Sequence, residues 1–387
     1  MLQEQLHFHS AVAQRTNATF SSPTLNRLQR MALGAQRSNM MSNPTDCDQR
    51  DERLGWTGDI DLTSDSLAVN YDAGAFLRFF VSNMAFSEDA DGSIPEVVPD
   101  VRYVHRRPGD VSWSTTIVQL PFVLWKTYGD TATAATYLDA MVRQVDSLAK
   151  PVAAGLKQCS SCESAGGNCE HGDWCPPPIT LGTPSPGSCG GPTPTLCFTS
   201  NFAYLSSVQQ LQAMAKMLGN ASLAERMSSL SADLTRRFNS AWFNASSGNY
   251  DQGGQTDQAL AIALGVPADK QRATEQLLQA VVATQHHPTV GIIGNKFLHA
   301  GLASGGHHTD AVALLEQTSY PSFAFEFANS LEPATENVWG ETKSLPSCLR
   351  APLRPVADTT ILTCRADGLA VRGRGHEQPQ PPHVLEL

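Results

Sequence analysis

The sequence predicts an all-α fold built from stacked helical hairpins. Along most of the chain, apolar residues recur at spacings of three and four, which is typical of helices with one buried face. These helical stretches come in pairs, and short turns containing Gly, Asn or Pro join them. Few stretches alternate between apolar and polar residues, so no sizeable sheet is predicted. Because 41% of the 387 residues are hydrophobic, the chain can bury a substantial core.

The first two predicted helices lie on either side of a charged stretch. Ser22 provides a cap and Pro23 a first-turn residue for a helix that runs to roughly Met41. Ser64 or Asp65 is predicted to cap the second helix, which has a heavily apolar face. That face comprises Leu67, Val69, Phe76, Leu77, Phe79 and Phe80.

The later helices follow the same pattern up to about residue 330. Their apolar stripes are explained by core packing without any function. Together with the first two and a helix entry at residues 290–296, they bring the predicted total to about ten helices. The other segments are residues 117–128, 134–148, 202–218, 223–238, 255–264, 271–284 and 310–317.

Residues 46–59, which carry most of the charge in this part of the chain, are the strongest candidate for a site. Gly55 and Gly58 argue against a plain helix here. A solvated charged loop is one interpretation. However, Leu54 and Trp56 favour packing, which would bring the neighbouring carboxylates into a drier place. Desolvation and arginine partners would then move the carboxylate pKa values apart, as acid and base chemistry near neutral pH requires.

The run DCDQRDERLGWTGD at residues 46–59 closely resembles the signature of the inverting α-L-rhamnosidases. The resemblance implies a six-hairpin (α/α) toroid, of which about ten of twelve helices are present here. It also implies that Glu52 is the general acid. Asp48 stands where the family usually has Pro. The rhamnose-binding residues implied by this run are Asp46, Arg50, Trp56 and Asp59.

Two further segments resemble parts of the same family. Trp113 corresponds to a tryptophan that would stack on a sugar, although Thr115 stands where the family commonly has an Asp of the site. Gly-Asp-Trp at residues 172–174 makes Asp173 and Trp174 candidate substrate contacts. Alternatively, Trp174 has only a structural role and packs against other residues of the surrounding loop insertion.

The resemblance weakens after Trp339, which is a further candidate substrate contact. The family has its general-base Glu directly after this tryptophan, whereas this chain has Gly340 and then Glu341. Helical periodicity is also lost from about residue 340. We therefore expect a glycosidase impaired by a displaced base. The alternatives are an inactive carbohydrate-binding remnant of the domain and a related α/α-toroid glycosidase.

The predicted domain organisation has three parts. Residues 1–21 form an unpatterned N-terminal segment, and residues 22–339 form the catalytic domain. Residues 340–387 are expected to be a divergent, disordered tail. Relative to the family, the domain is expected to be truncated at both ends.

Six of the nine cysteines lie between Cys159 and Cys197, inside a Pro- and Gly-rich insertion spanning about residues 157–200. An even, dense cluster predicts disulfide bonds, and a zinc site is the alternative. The chain has no signal-peptide pattern at its start. Nevertheless, the cysteines and three glycosylation sequons suggest a secreted or lumenal protein. The sequons begin at Asn17, Asn220 and Asn244.

Charge and hydropathy narrow the possible partners. A formal net charge of −10 argues against nucleic acid and against anionic membrane surfaces. No apolar run is long enough to suggest a membrane span. The motifs require no metal and no cofactor. The partner implied by the resemblance is a glycan or glycoside that contains rhamnose.

Overall fold

The computed structural model describes residues 11–46, 53–100, 109–149, 152–153, 156–157, 170–174, 176–177 and 195–325. Helices dominate this part of the chain. The helices of its first half are α1 (Pro23–Ser38), α2 (Thr57–Asn70), α3 (Gly74–Phe86), α4 (Val111–Ser114), α5 (Thr116–Tyr128), α6 (Thr131–Thr136) and α7 (Leu138–Leu148). Those of its second half are α8 (Leu196–Met217), α9 (Ala221–Trp242), α10 (Gln255–Leu264), α11 (Lys270–Ala283), α12 (Ile292–Ser304) and α13 (His308–Glu316).

The strands in the described residues are short and form two-stranded antiparallel ladders only. They serve as turns between helices and do not build a sheet core. The pairs are β1 (Met40–Met41) with β2 (Asn43–Pro44), β3 (Val152–Ala153) with β4 (Leu156–Lys157), and β5 (Phe243–Asn244) with β6 (Asn249–Tyr250).

The helices form an all-α toroid, as the sequence predicts. Five of them make an inner ring, in which α2 packs on α5, α5 on α8, α8 on α10, α10 on α12 and α12 on α2. Most of the others lie outside this ring: α3 and α6 contact α5, α7 contacts α5 and α8, α9 contacts α8, α11 contacts α10 and α12, and α13 contacts α12. The short α4 instead contacts the ring helices α2, α5 and α8. Apart from α4, the chain passes back and forth between the inner and the outer layer, which is the arrangement of stacked hairpins.

The main hydrophobic core runs between the two layers. Its fully buried side chains include Leu77, Phe80, Leu120, Phe198 and Leu211, which come from α3, α5 and α8. A second, smaller cluster joins α10, α11 and α12. At about 1.5–3 kcal/mol for each fully buried large apolar side chain, this burial is the main favourable term in folding.

The predicted second helix is two helices in the structure. α2 begins at Thr57, seven residues before the predicted cap, and the chain turns at Tyr71 before α3 starts at Gly74. The Tyr71 hydroxyl donates to Leu33 O at 2.7 Å and its ring is fully buried, so a contact with α1 fixes the break. The prediction that Gly58 interrupts helical structure is wrong, because Gly58 lies inside α2.

Two apolar residues of that predicted face point to solvent. Val69 is 62% exposed and Phe79 is 52% exposed. The break between α2 and α3 changes the helical phase, so a single stripe drawn through both helices assigns these two side chains to the wrong side. In the same way, the predicted helix over residues 134–148 divides at Tyr137 into α6 and α7.

The N-terminal segment contributes to the fold from residue 11 onwards. Gln14 pairs with Tyr71 in an antiparallel bridge, and the backbone N–H of Arg15 donates to Asn70 O at 2.8 Å. These bonds cover the turn between α2 and α3. Among the described residues, no helix is long and apolar enough to cross a membrane.

Candidate active site

Backbone pairing closes the charged stretch into a loop. The Asp46 N–H donates to Leu54 O at 2.8 Å, and the Leu54 N–H donates to Asp46 O at 2.9 Å. These two bonds bring together the two ends of residues 47–52. Arg50 and Glu52 belong to those six residues, which lie outside the part of the chain that the structure describes.

The strand-like segment after this loop pairs with residues 96–98. The Thr57 N–H donates to Glu96 O at 2.8 Å, and the Val98 N–H donates to Gly55 O at 2.8 Å. A Cβ on Gly55 would lie 1.9 Å from the Val98 carbonyl oxygen, so only glycine permits this close approach. The pairing places Glu96 directly beside the start of α2, where Asp59 lies in the first turn.

Trp113 packs on the same helix start. A Cβ on Gly58 would lie 2.4 Å from ring atoms of Trp113, so the missing side chain makes room for the indole. Asp110 caps α4, the short helix that carries Trp113, by accepting from Ser112 N–H at 2.6 Å. Thr115 does not replace the acid of the family, because its hydroxyl donates to Val111 O at 2.9 Å.

Residues 170–174 bring Trp174, another predicted site residue, close to Trp113. The His171 ring lies between two indoles, with its centroid 4.6 Å from that of Trp113 and 5.1 Å from that of Trp174. The carbonyl of Trp174 accepts from the Ile292 N–H at 2.8 Å, which fixes the segment to the start of α12. Trp56, Trp113 and Trp174 therefore come from three separate stretches of chain.

Asp173 is buried and its carboxylate is occupied by protein donors. Its Oδ2 accepts from Thr256 Oγ1 at 2.5 Å and from Gly291 N–H at 2.7 Å, and its Oδ1 accepts from Gly294 N–H at 2.9 Å. The negative charge thus satisfies the free N–H groups at the start of α12. These contacts support a role in holding Trp174 and α12, and the contact of Asp173 with substrate stays a prediction.

Two buried acids, Glu96 and Asp110, contact His171, the residue whose ring packs against Trp113 and Trp174. Glu96 is 1% exposed, and its Oε1 accepts from the Asp110 N–H at 2.9 Å while its Oε2 lies 3.1 Å from His171 Nε2. Asp110 Oδ2 accepts from the His171 N–H at 2.5 Å. Burial raises the pKa of Asp110 well above its usual range, and the nearby carboxylates of Glu170 and Glu96 raise it further.

Two neighbouring cavities open along α2 and α12. The larger has a volume of about 680 Å³, and its lining includes Asp46, Trp56 and Asp59 together with faces of α1, α2 and α12. The smaller, of about 360 Å³, is lined partly by Gly58 and Trp113. Lys296 of α12 lies on the wall that the two cavities share, and its Nζ is 3.2 Å from Asp61 Oδ1 and from Asp65 Oδ2.

The sequence did not single out Glu96, Asp110 or His171 as site residues. Glu96 follows Pro95 in a loop, and its role depends on backbone pairing with a segment about forty residues earlier. Asp110 could have been found as the Asp two residues before the Ser-Trp pair, at a helix start. His171 directly precedes the predicted Gly-Asp-Trp segment, and only the stacked rings show its role.

Several predicted features lie outside the described residues. Trp339 and Glu341 belong to the part of the chain after residue 325, so the predicted general base stays a prediction. Of the six clustered cysteines, the described residues include Cys197, in the first turn of α8. The predicted disulfide bonds and their pairing therefore also remain predictions.

Comparison with known proteins places this architecture in a class, the six-hairpin glycosidases. Residues 14–343 match the sequence profile of the bacterial alpha-L-rhamnosidase 6 hairpin glycosidase domain. Since this match covers most of the chain, the protein belongs to that family.

Similar proteins agree with this assignment. The chain is 26% identical over 324 residues to an alpha-L-rhamnosidase of Formosa agariphila, covering 83% of this chain and 33% of that protein. It is 27% identical over 305 residues to an alpha-L-rhamnosidase of Streptomyces avermitilis, covering 78% and 27%. The structure of an alpha-L-rhamnosidase from Dictyoglumus thermophilum superposes with a TM-score of 0.73 at 26% identity, covering 83% and 35%. The chain thus spans about a third of the length of these relatives.

Proposed function

We propose that this chain is a glycoside hydrolase that removes terminal α-L-rhamnose from a glycan or glycoside. Membership of the α-L-rhamnosidase family supports the reaction and the substrate class. The observation that carries the proposal is the convergence of Asp46, Trp56 and Asp59 on one cavity of about 680 Å³ at the ends of the loop that contains Glu52. Carboxylates beside indole rings are the groups that sugar recognition uses.

In the proposed mechanism, Glu52 donates a proton to the oxygen that leaves the sugar. A carboxylate on the opposite face activates a water molecule, and the anomeric centre inverts. Two carboxyl groups about 6.5–9.5 Å apart leave room for that water. Glu341 is the candidate base, two residues after Trp339 in the sequence. Asp46, Arg50, Trp56 and Asp59 would hold the rhamnose ring, with the indoles of Trp113 and Trp174 against its apolar face.

The alternative is a carbohydrate-binding domain that lacks turnover. The position of Glu341, one residue beyond the place expected for the base, favours this alternative. A shift of one residue along an extended chain moves a side chain by about 3.3 Å and turns it to the other face. Misplacement of a catalytic group by 1 Å can lower the rate by about a hundredfold.

Turnover of p-nitrophenyl α-L-rhamnopyranoside and rhamnose binding, measured side by side, test the proposal. We expect wild-type turnover, which Glu52→Gln lowers by about tenfold or more while rhamnose binding changes little, because p-nitrophenolate is a good leaving group that needs only part of the help of a general acid. Asp233→Asn, on the exposed surface of α9, is the control and should leave both unchanged. Rhamnose binding without turnover would favour the carbohydrate-binding domain, and loss of both in the wild type would reject the proposal.

We also propose that the protein works in a secreted or lumenal compartment. The cysteine cluster supports this, because disulfide bonds persist in oxidising surroundings. All three sequon asparagines, Asn17, Asn220 and Asn244, are exposed to solvent. Their exposure is what glycan attachment requires.

A further inference from the structure

The segment at residues 170–174 is held at three points by buried carboxylates. Glu96 contacts the His171 ring, Asp110 accepts from the His171 N–H, and Asp173 accepts from the N–H groups of Gly291 and Gly294. These five residues are thereby bonded to the loop that contains Glu96, to the start of α4 and to the start of α12. Such a segment can hold a side chain in one orientation.

Glu96 links this segment to the helix that carries the other tryptophan. One of its oxygens accepts from the Asp110 N–H, immediately before α4, and the other faces His171 Nε2. The side chains of His171 and Glu96 are only 4% and 2% exposed. Because a buried carboxylate is costly without partners, the two bonds restrict its position strongly.

Because Glu96 fixes the position of the His171 ring, that ring in turn restricts the orientation of the two indoles it contacts. Its ring is tilted by 53° to Trp113 and lies nearly edge-on, at 74°, to Trp174. Tilted and edge-on pairs at these distances are favourable and depend on ring orientation. A change in the imidazole position would therefore change the angle between the two indoles.

We infer that His171, held by Glu96, is a positioning residue that sets the Trp113 and Trp174 indoles for sugar binding. It acts through the two rings and touches neither the reacting atoms nor the leaving group. The inference rests on the proposed function, because the expected effect of positioning the indoles is tighter binding of the sugar. The position of the indoles can be measured independently of any sugar.

His171→Gln is the main test, because glutamine keeps an N–H donor for Glu96 and removes the ring. We expect KM for p-nitrophenyl α-L-rhamnopyranoside and the Kd for rhamnose to rise by about ten- to a hundredfold, with kcat within about twofold. His286→Gln is the matched control. His286 also pairs with a carboxylate, that of Asp310 at 2.8 Å, on α13 at the outer layer. This control should leave KM and Kd unchanged.

A readout that needs no sugar comes from ¹⁹F NMR of protein labelled with 5-fluorotryptophan. Trp113→Phe and Trp174→Phe assign the two resonances of interest. In His171→Gln we expect both to shift, while the resonances of Trp125 and Trp242 stay in place. Unchanged resonances of Trp113 and Trp174 would overturn the inference, and so would a fall in kcat with KM unaltered.

A double-mutant cycle tests the role of Glu96. His171→Phe keeps an aromatic ring without the bond, and Glu96→Gln keeps an acceptor for the Asp110 N–H. If the pair acts as a unit, the rise in Kd for the double variant equals that of the larger single one. Additive effects would contradict the linkage.

The outcomes separate this inference from the proposed function. If the wild type neither binds rhamnose nor turns over the rhamnoside, the proposed function fails. The ¹⁹F shifts then still decide whether His171 positions the indoles. If the wild type is active and His171→Gln behaves like it in KM and in the ¹⁹F spectrum, the inference fails alone.

Discussion

At the scale of single residues, buried carboxylates in this chain serve the fold as well as the chemistry. Asp173, predicted as a substrate contact, uses both oxygens to hold the start of α12. Asp257 has a similar place in α10, where its Oδ2 accepts from the Gly254 N–H at 2.7 Å. The residue type alone does not distinguish a capping carboxylate from one that faces a ligand.

Asp257 should make stability depend on pH. Burial above all, together with the Asp251 and Asp173 carboxylates, raises the pKa of Asp257 from 3.8 to about 7. The folded state then binds more protons than the unfolded state between these values. The free energy of unfolding therefore falls as the pH increases from about 4 to about 7.

Asp257→Asn removes this titration and keeps an acceptor for the Gly254 N–H. We expect the melting temperature of the variant to fall less between pH 4.5 and 7.5, and to exceed that of the wild type by at least about 2 °C at pH 7.5. Asp233→Asn is the control. The hydrogen bond from Arg237 holds the pKa of Asp233 below its usual range, so its contribution is lost only at lower pH. Equal slopes for wild type and Asp257→Asn would contradict the assignment.

At the scale of elements, periodicity predicted the existence of most helices and the ends of some, but not the breaks that depend on distant contacts. The helix predicted over residues 255–264 agrees with α10, where Gly254 precedes the helix and Gly265 ends it in a left-handed conformation. By contrast, the break at Tyr71 depends on a hydrogen bond to Leu33, about forty residues earlier in the chain. Local patterns contain no information about such a bond.

The contact between α12 and α2 is an element-scale feature that the sequence did not indicate. Lys296 Nζ donates to Asp61 O at 2.8 Å and pairs with the Asp61 and Asp65 carboxylates. Burial raises the pKa of Asp61, and the charge of Lys296 lowers it in turn. This ion pair joins the last inner helix to the first among the described residues.

Lys296→Met should weaken this junction. It leaves the mostly buried Asp61, whose side chain is 16% exposed, without its cation, so we expect the free energy of unfolding to fall by about 2–4 kcal/mol at pH 8. Because the pKa of Asp61 rises further without Lys296, protonation should reduce the loss at pH 4.5. Lys270→Met, at the exposed start of α11, should change stability by less than about 0.5 kcal/mol. Equal losses at both pH values, or none, would show that the pair does not hold the junction.

At the scale of the whole molecule, the candidate site is assembled from distant stretches. The charged motif, Trp113 and the Gly-Asp-Trp segment could be found from the sequence because their residue types and order match a family signature. Glu96 and His171 could not, because their roles arise from backbone pairing and ring stacking between those stretches. The all-α stack of hairpins followed from helix pairing, and the toroid with its number of hairpins followed from the resemblance.

The proposed chemistry depends on one claim, that Glu52 protonates the leaving oxygen. An alkyl α-L-rhamnoside needs this proton, whereas a 2,4-dinitrophenyl α-L-rhamnoside has a leaving group that departs without it. The decisive measurement is kcat/KM of wild type and Glu52→Gln on both substrates. The account predicts a loss of about 10²–10⁴-fold for the alkyl rhamnoside and a much smaller loss for the dinitrophenyl rhamnoside. Equal losses on the two substrates would contradict it.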